Sequence, residues 1–198
     1  PRMSSNSSRN TTSSTSNSKT PSKGEILEKL SQVQKELTKR KAFLYSPYQK
    51  QAEFHNSGSD FRERLFLAGN QLGKTTSGAA EASFHATGLY PDWWEGRRFD
   101  HPTIGWVSGN SNETTRDNPQ RMLLGRIGEQ GTGMIPERCI SSVLKARGIG
   151  EYVDTLKVKH VSGGDSTIRF KAYEQGADKW QGDTLDYVWF DEEPPNKI

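Results

Sequence analysis

Apolar positions recur along this chain with two periods, and the change of period divides it into elements. After Ser22, the residues Ile26, Leu30, Val33 and Leu37 recur at spacings of four, three and four. This predicts one helix over about 23–41 with a single apolar stripe, and Ser22 followed by Glu25 supplies a capping box at its start. Lys29, Lys35, Lys39, Arg40 and Lys41 are available for its wetter sides. The stripe is expected to pack on its own domain, with a surface for another subunit as the alternative. A turn at Ser46-Pro47 follows. Residues 64–68 (RLFLA) read as a buried strand, and residues 74–87 as a helix leaving its carboxyl end, closed by Gly88 and Pro91. Residues 103–108 (TIGWVS) predict a second strand, and a helix around 118–127 follows a polar loop. Residues 153–161 and 166–173 alternate as a hairpin about Gly163-Gly164, and 185–190 form another buried strand. Strands and helices in alternation predict an α/β architecture.

Composition narrows this picture. Residues 1–23 are mostly Ser, Thr and Asn with scattered basic groups, so they have little to bury and are expected to be disordered. The predicted organisation is therefore a tail over 1–23, a helix over 24–42 and an α/β domain over 43–198. No apolar h-region follows the early basic residues and no run is long enough to span a bilayer, which predicts a soluble protein without a membrane partner. The formal charge of +3, from 27 basic and 24 acidic side chains, is compatible with nucleic acid but does not select it. Cys139 is the one cysteine, which excludes an intramolecular disulfide, favours a reducing compartment and reads as a small buried hydrophobe.

The chemistry enters where the first predicted strand meets its helix. Residues 68–76 run Ala68, Gly69, Asn70, Gln71, Leu72, Gly73, Lys74, Thr75, Thr76 and fit the Walker A spacing, with Ala68 where a first glycine is usual. A triphosphate needs many oriented donors at fixed distance, and a helix N-terminus preceded by a turn of backbone N–H groups supplies them. Gly73 is expected where backbone approaches phosphate, Lys74 at the β and γ oxygens, and Thr75 with its hydroxyl on Mg²⁺. An ordinary glycine turn with a solvated lysine is the bland alternative.

A second motif closes the chain: Tyr187-Val188-Trp189-Phe190 runs into Asp191, Glu192 and Glu193. Asp191 is expected at the carboxyl edge of the same sheet, where it can hold the hydration shell of Mg²⁺. Glu192 can polarise an attacking water, and Glu193 can orient its neighbours. Together the two motifs imply nucleoside triphosphate hydrolysis. Tyr48 and Gln49 precede the phosphate strand and suit adenine, the first by stacking and the second through an amide that both donates and accepts; Gln51 is the competing amide. Arg116 is the candidate cation for transition-state charge, on its own or a neighbouring subunit, against a surface or capping role. Arg97 and Arg98 can contact DNA phosphate or brace their loop, and Trp93 and Trp94 are expected to pack. Residues 176–182 (GADKWQG) lead into the last strand, either transmitting nucleotide state or forming a turn with Trp180 buried.

The stretches LAGNQLGKTT, GLYPDWWEGRRFDHP and FKAYEQGADKWQGDTLDYVWFDEEPP resemble the ATPase domain of tailed-bacteriophage large terminase subunits, over most of residues 43–198. The resemblance implies a P-loop NTPase three-layer fold of the additional-strand, catalytic-glutamate type, present only in part. A further strand between those bearing Lys74 and Asp191, and a nuclease domain with clustered acids and divalent metal, are expected outside these residues. It also implies Walker A roles for Lys74 and Thr75, the metal role for Asp191, the catalytic carboxylate for Glu192 and adenine recognition by Tyr48-Gln49. Many relatives carry arginine where this chain has Asn70, so a finger from elsewhere gains importance, and Arg116 is its candidate. The implied partners are double-stranded DNA, the portal protein of the procapsid, the small terminase subunit and further copies in a homo-oligomeric ring on the portal. The implied location is the host cell cytoplasm, transiently docked on the procapsid. A helicase-like ATPase and a noncatalytic packaging adaptor are the rival readings; the absence of an N-K-x-D segment speaks against a GTPase.

Overall fold

The computed structural model describes the backbone of residues 22–38 and 41–195, with side chains of 22–34 and 41–195. The tail expected to be disordered falls almost wholly outside these residues, as do Lys39, Arg40 and the side chains of Lys35 and Leu37.

Helix α1, Lys23–Thr38, starts at the capping box read from the sequence: the Ser22 N–H donates to Glu25 Oε2 at 2.7 Å and the Glu25 N–H to Ser22 Oγ at 3.3 Å. The described part of its stripe does not pack on the domain. Ile26, Leu30 and Val33 are 44%, 54% and 53% exposed, which corrects the first expectation. Periodicity predicts a face that wants cover, and no described residue supplies it.

Helix α2, Gln49–Asn56, follows Pro47, and helix α3, Lys74–Thr87, ends where Gly88 turns left-handed at φ 70° and its N–H caps the Phe84 carbonyl at 2.8 Å. Between them, residues 64–68 form no strand, against expectation. They alternate as a strand would: Phe66 stacks on Phe54 at 4.9 Å while Leu65 and Leu67 stand 80% and 81% exposed. A strand needs a neighbour for its hydrogen bonds, and no ladder reaches this run among the described residues.

The sheet comprises β1 (Ile104–Gly109), β2 (Ile140–Lys145), β3 (Val153–Lys159), β4 (Asp165–Ala172) and β5 (Tyr187–Phe190), in the order β2-β3-β4-β1-β5. The hairpin β3–β4 forms as predicted about Gly163-Gly164, with Leu156 opposite Ile168. β2 adds antiparallel to β3. Strands β4 and β5 both run parallel to β1, so Gly109, Ala172 and Phe190 end at one edge. β5 is the terminal strand and only half covered, with Val188 39% and Phe190 46% exposed, a correction to its buried reading.

Helix α3 packs on one sheet face. Ala79, Ala80, Ala82 and Phe84 share a cluster with Val107, Leu156, Val158, Ile168 and Phe170. Small side chains allow this close approach, and Gly78 is the extreme case: a Cβ there would fall within 2.7 Å of three atoms of the Trp189 indole. After β1, the helix expected at 118–127 begins earlier and ends earlier. It comprises α4 (Asn112–Thr115), a π-turn at Arg116–Gln120 and α5 (Arg121–Leu124), with Ser111 capping the Thr114 N–H at 3.1 Å. Pro119 has no N–H to donate, which suits the widened turn. Cys139 and Trp94 are buried, as read. Arg98 braces its own loop through the Trp94 carbonyl at 2.9 Å and over the Tyr90 ring. Among the described residues no helix is long and apolar enough to cross a membrane.

Candidate nucleotide-binding site

The turn into α3 is made by two residues in the left-handed region, Gln71 at φ 62° and Gly73 at φ 77°. Gly73 is needed twice over, because a Cβ there would also lie 2.7 Å from the Gln51 amide nitrogen. Gln51, buried in α2, donates to the Gly73 carbonyl at 3.3 Å and accepts the Tyr48 N–H at 3.1 Å. The Tyr48 hydroxyl donates to the Leu72 carbonyl. Gln51 is therefore occupied holding the loop, and Gln49 is the exposed amide of the pair. The loop carbonyls also receive Lys74, whose Nζ donates to Ala68 at 2.6 Å and Gly69 at 3.2 Å. The first N–H groups of α3 have no acceptor within the helix, so this end of it favours an anion.

Strand β5 delivers Asp191 to the same place. The Asp191 N–H continues the pairing with β1 by donating to Ser108 at 2.9 Å, and Tyr187 and Trp189 face α3 from β5. The Thr75 hydroxyl and the Lys74 ammonium are near enough to the Asp191 carboxyl to favour its ionised form. Burial raises that carboxyl to about 6 and Glu192 adds to the effect, against the lowering by Thr75 and nearby Lys74. A carboxyl poised near neutrality between a hydroxyl and an ammonium is suited to a divalent cation, which would replace the proton. Lys74 and Thr75 are thus brought near Asp191, which lies more than a hundred residues further along the chain. At the same sheet edge an open cleft of about 680 Å³ is lined by Asn110, Tyr173, Glu174, Glu193, Pro194 and Pro195.

Two further residues stand differently. Glu192 is exposed with φ 115°, and its carbonyl accepts the Tyr173 hydroxyl at 2.8 Å. Arg116 lies on the π-turn after β1, its guanidinium bonded to Asp117 at 2.8 and 3.1 Å and to the Gly150 carbonyl at 3.4 Å. Its contacts are thus with the adjacent Asp117 and with the loop between β2 and β3. Gly69, Asn70, Gln71 and Leu72 line the exposed outer turn, and Thr76 follows Thr75 on α3.

Behind the loop lies a polar cluster that sequence reasoning missed. Glu81, two turns along α3 from Lys74, accepts from His55 Nδ1 at 2.8 Å and from both Arg64 nitrogens, with His85 Nε2 at 3.4 Å. Burial alone would raise the Glu81 carboxyl, yet the bonds from His55, His85 and Arg64 hold it well below the usual range. His55 Nε2 lies 3.0 Å from the Tyr45 hydroxyl, which donates to Ser77 at 3.2 Å, and Ser77 donates to the Gly73 carbonyl at 3.0 Å. A chain of hydrogen bonds therefore runs from a buried carboxylate to the loop. The spacing Lys74 to Glu81 was the available signal, but its partners come from 55, 64 and 85.

A loop turned by glycine onto a helix end, beside a carboxylate at the end of a parallel strand, is an arrangement able to receive a phosphate-sized anion. The chain belongs to the terminase large-subunit family: residues 65–198 match the family described as terminase large subunit, T4likevirus-type, N-terminal. It is also similar to the large terminase subunit of Salmonella phage P22, at 43% identity over 194 residues, covering 88% of this chain and 39% of that protein. The chain thus spans about two-fifths of that relative's length. No solved structure matches it.

Proposed function

We propose that these residues form the Mg²⁺-dependent ATPase of a motor that moves double-stranded viral DNA into a procapsid, on a P-loop NTPase fold of the catalytic-glutamate type. The observation that carries this reading is the approach of Lys74 and Thr75, at the start of α3, to Asp191, at the end of β5. Family membership supplies the packaging context.

In this reading Gly69, Asn70, Gln71, Leu72, Gly73 and Thr76 surround the phosphates with backbone donors. Lys74 exchanges the Ala68 and Gly69 carbonyls for phosphate oxygens. Thr75 and Asp191 would hold Mg²⁺, which would supply charge neutralisation at the phosphates. Glu192 accepts a proton from the attacking water. Tyr48 packs on adenine and Gln49 reads its edge, beside a groove lined by Phe54, Phe61, Leu67 and Leu72. Arg116 exchanges Asp117 for the phosphates of a neighbouring subunit in a ring, since Asn70 carries no charge to offer. Residues 176–182 transmit nucleotide state. The portal protein, the small terminase subunit and duplex DNA are the partners, and the site of action is the host cytoplasm at the procapsid.

The test is phosphate release from ATP by the full chain with and without duplex DNA. Lys74→Ala and Glu192→Gln are each expected to reduce turnover at least 100-fold, on the order of a lost catalytic group. Mixing Glu192→Gln with Arg116→Ala subunits is expected to restore activity through a shared site. Turnover that survives Glu192→Gln refutes the assignment, and ATP binding without any turnover would favour a packaging adaptor.

A further inference from the structure

Glu192 sits at φ 115°, beyond the small left-handed well that non-glycine residues use. Such a backbone persists only where its surroundings over-determine it. The constraint comes from another strand. Tyr173 follows directly on β4, two strands from β5 in the sheet, and is 6% exposed. Its hydroxyl donates to the Glu192 carbonyl at 2.8 Å. Its ring is fixed in turn by Trp180 at 5.7 Å and Phe190 at 6.3 Å, while Trp180 stacks on Phe190 at 6.0 Å and meets Trp106 edge-on at 5.6 Å. Burial raises the Tyr173 hydroxyl above its ordinary range, with Asp191 and Glu192 adding to that, so it remains a proton donor. The Trp180 Nε1 is buried without a hydrogen-bond partner among the described residues, so ring contacts hold the indole.

We propose that Tyr173 is a positioning residue for Glu192. Its hydroxyl holds the strained carbonyl and with it the backbone that carries the carboxylate next to Asp191, and its ring carries any change in that backbone to Trp180 and residues 176–182. The proposal rests on Glu192 being the carboxylate of hydrolysis, and it names the contact by which that residue and the 176–182 segment move together.

Tyr173→Phe in the full chain keeps the stacked ring and removes one hydroxyl. The expected result is a fall in kcat for ATP of about tenfold with KM for Mg·ATP within about twofold, the pattern of a group that matters only in the transition state. Tryptophan fluorescence supplies a second readout: the part of the ATP-dependent change that Trp180→Phe removes is expected to be lost in Tyr173→Phe as well. An unchanged kcat in folded Tyr173→Phe, with Glu192→Gln inactive, overturns the positioning role and leaves the ATPase reading intact. An active Glu192→Gln overturns the ATPase reading itself. A fall in kcat with the Trp180 response preserved overturns the coupling to residues 176–182. Should Tyr173→Phe fail to fold, Trp180→Phe loosens the packing on Tyr173 and is expected to lower kcat about threefold at constant KM; wild-type kcat there overturns the proposal.

Discussion

Replacing Gly78 by alanine tests the contact that brings the two halves of the site together. Gly78 lies one turn beyond Lys74 on α3, and a Cβ built there falls within 2.7 Å of Cε2, Nε1 and Cζ2 of Trp189, two residues before Asp191. Ordinary carbon contact needs about 3.5 Å, so helix and strand must part by roughly 1 Å. Helix propensity favours alanine by about 1 kcal/mol. Overpacking costs about 1–3 kcal/mol, and a helix backbone against an indole belongs at the upper end. The net expectation is a loss of about 1–2 kcal/mol in denaturant unfolding, together with weaker Mg·ATP binding, because Thr75 and Asp191 sit on the same two elements. Trp189→Phe removes the indole nitrogen and fused ring, so the double mutant is expected to recover about 1 kcal/mol of coupling energy. Gly150→Ala, with nothing within 4 Å of its Cβ, is the control and should change stability by less than about 0.5 kcal/mol. A Gly78→Ala protein that unfolds at or above the wild-type midpoint, with unchanged Mg·ATP affinity, would refute the reasoning.

Two further outcomes follow from the buried carboxyls. Burial holds Asp191 at about 6, above its ordinary 3.8, so the folded protein binds this proton more tightly than the unfolded chain. Its contribution to stability is greatest below 3.8 and is lost as pH rises through 6, while Mg·ATP affinity rises over the same interval because the metal needs the ionised form. Calorimetry in buffers of different ionisation heat should find a released proton near pH 5 that Asp191→Asn abolishes; a pH-independent affinity would sink this. Glu81 has the opposite sign. Its depressed carboxyl contributes stability above its ordinary 4.5 that is lost as pH falls through the folded value. Glu81→Gln leaves Arg64 short of its counter-charge, for an expected loss of about 3 kcal/mol at pH 7 that shrinks in acid. Equal unfolding midpoints for the two proteins would contradict it.

What the sequence determined by itself was local. The helix at 74–87 and its Gly88 stop, the hairpin about Gly163-Gly164, the strands near 103–108 and 185–190 and the capping box at Ser22 all follow from period, turn chemistry and caps acting over a few residues. Pairing Lys74 with Asp191 was also legible, because each motif carries its position relative to a strand end. The tertiary structure decided everything that needs a partner distant in sequence. Among the described residues, 64–68 have the alternation of a strand but no neighbour, and Ile26, Leu30 and Val33 of the α1 stripe have no cover. β2 has no alternating pattern and exists because β3 offers an edge. Gln51 was drawn under the loop, Glu81 gathered His55 from α2, His85 from α3 and Arg64, and Tyr173 reached Glu192 across the sheet. Hydrogen bonds between remote residues depend on where the sheet places their backbones, and periodicity along the chain carries no record of that distance.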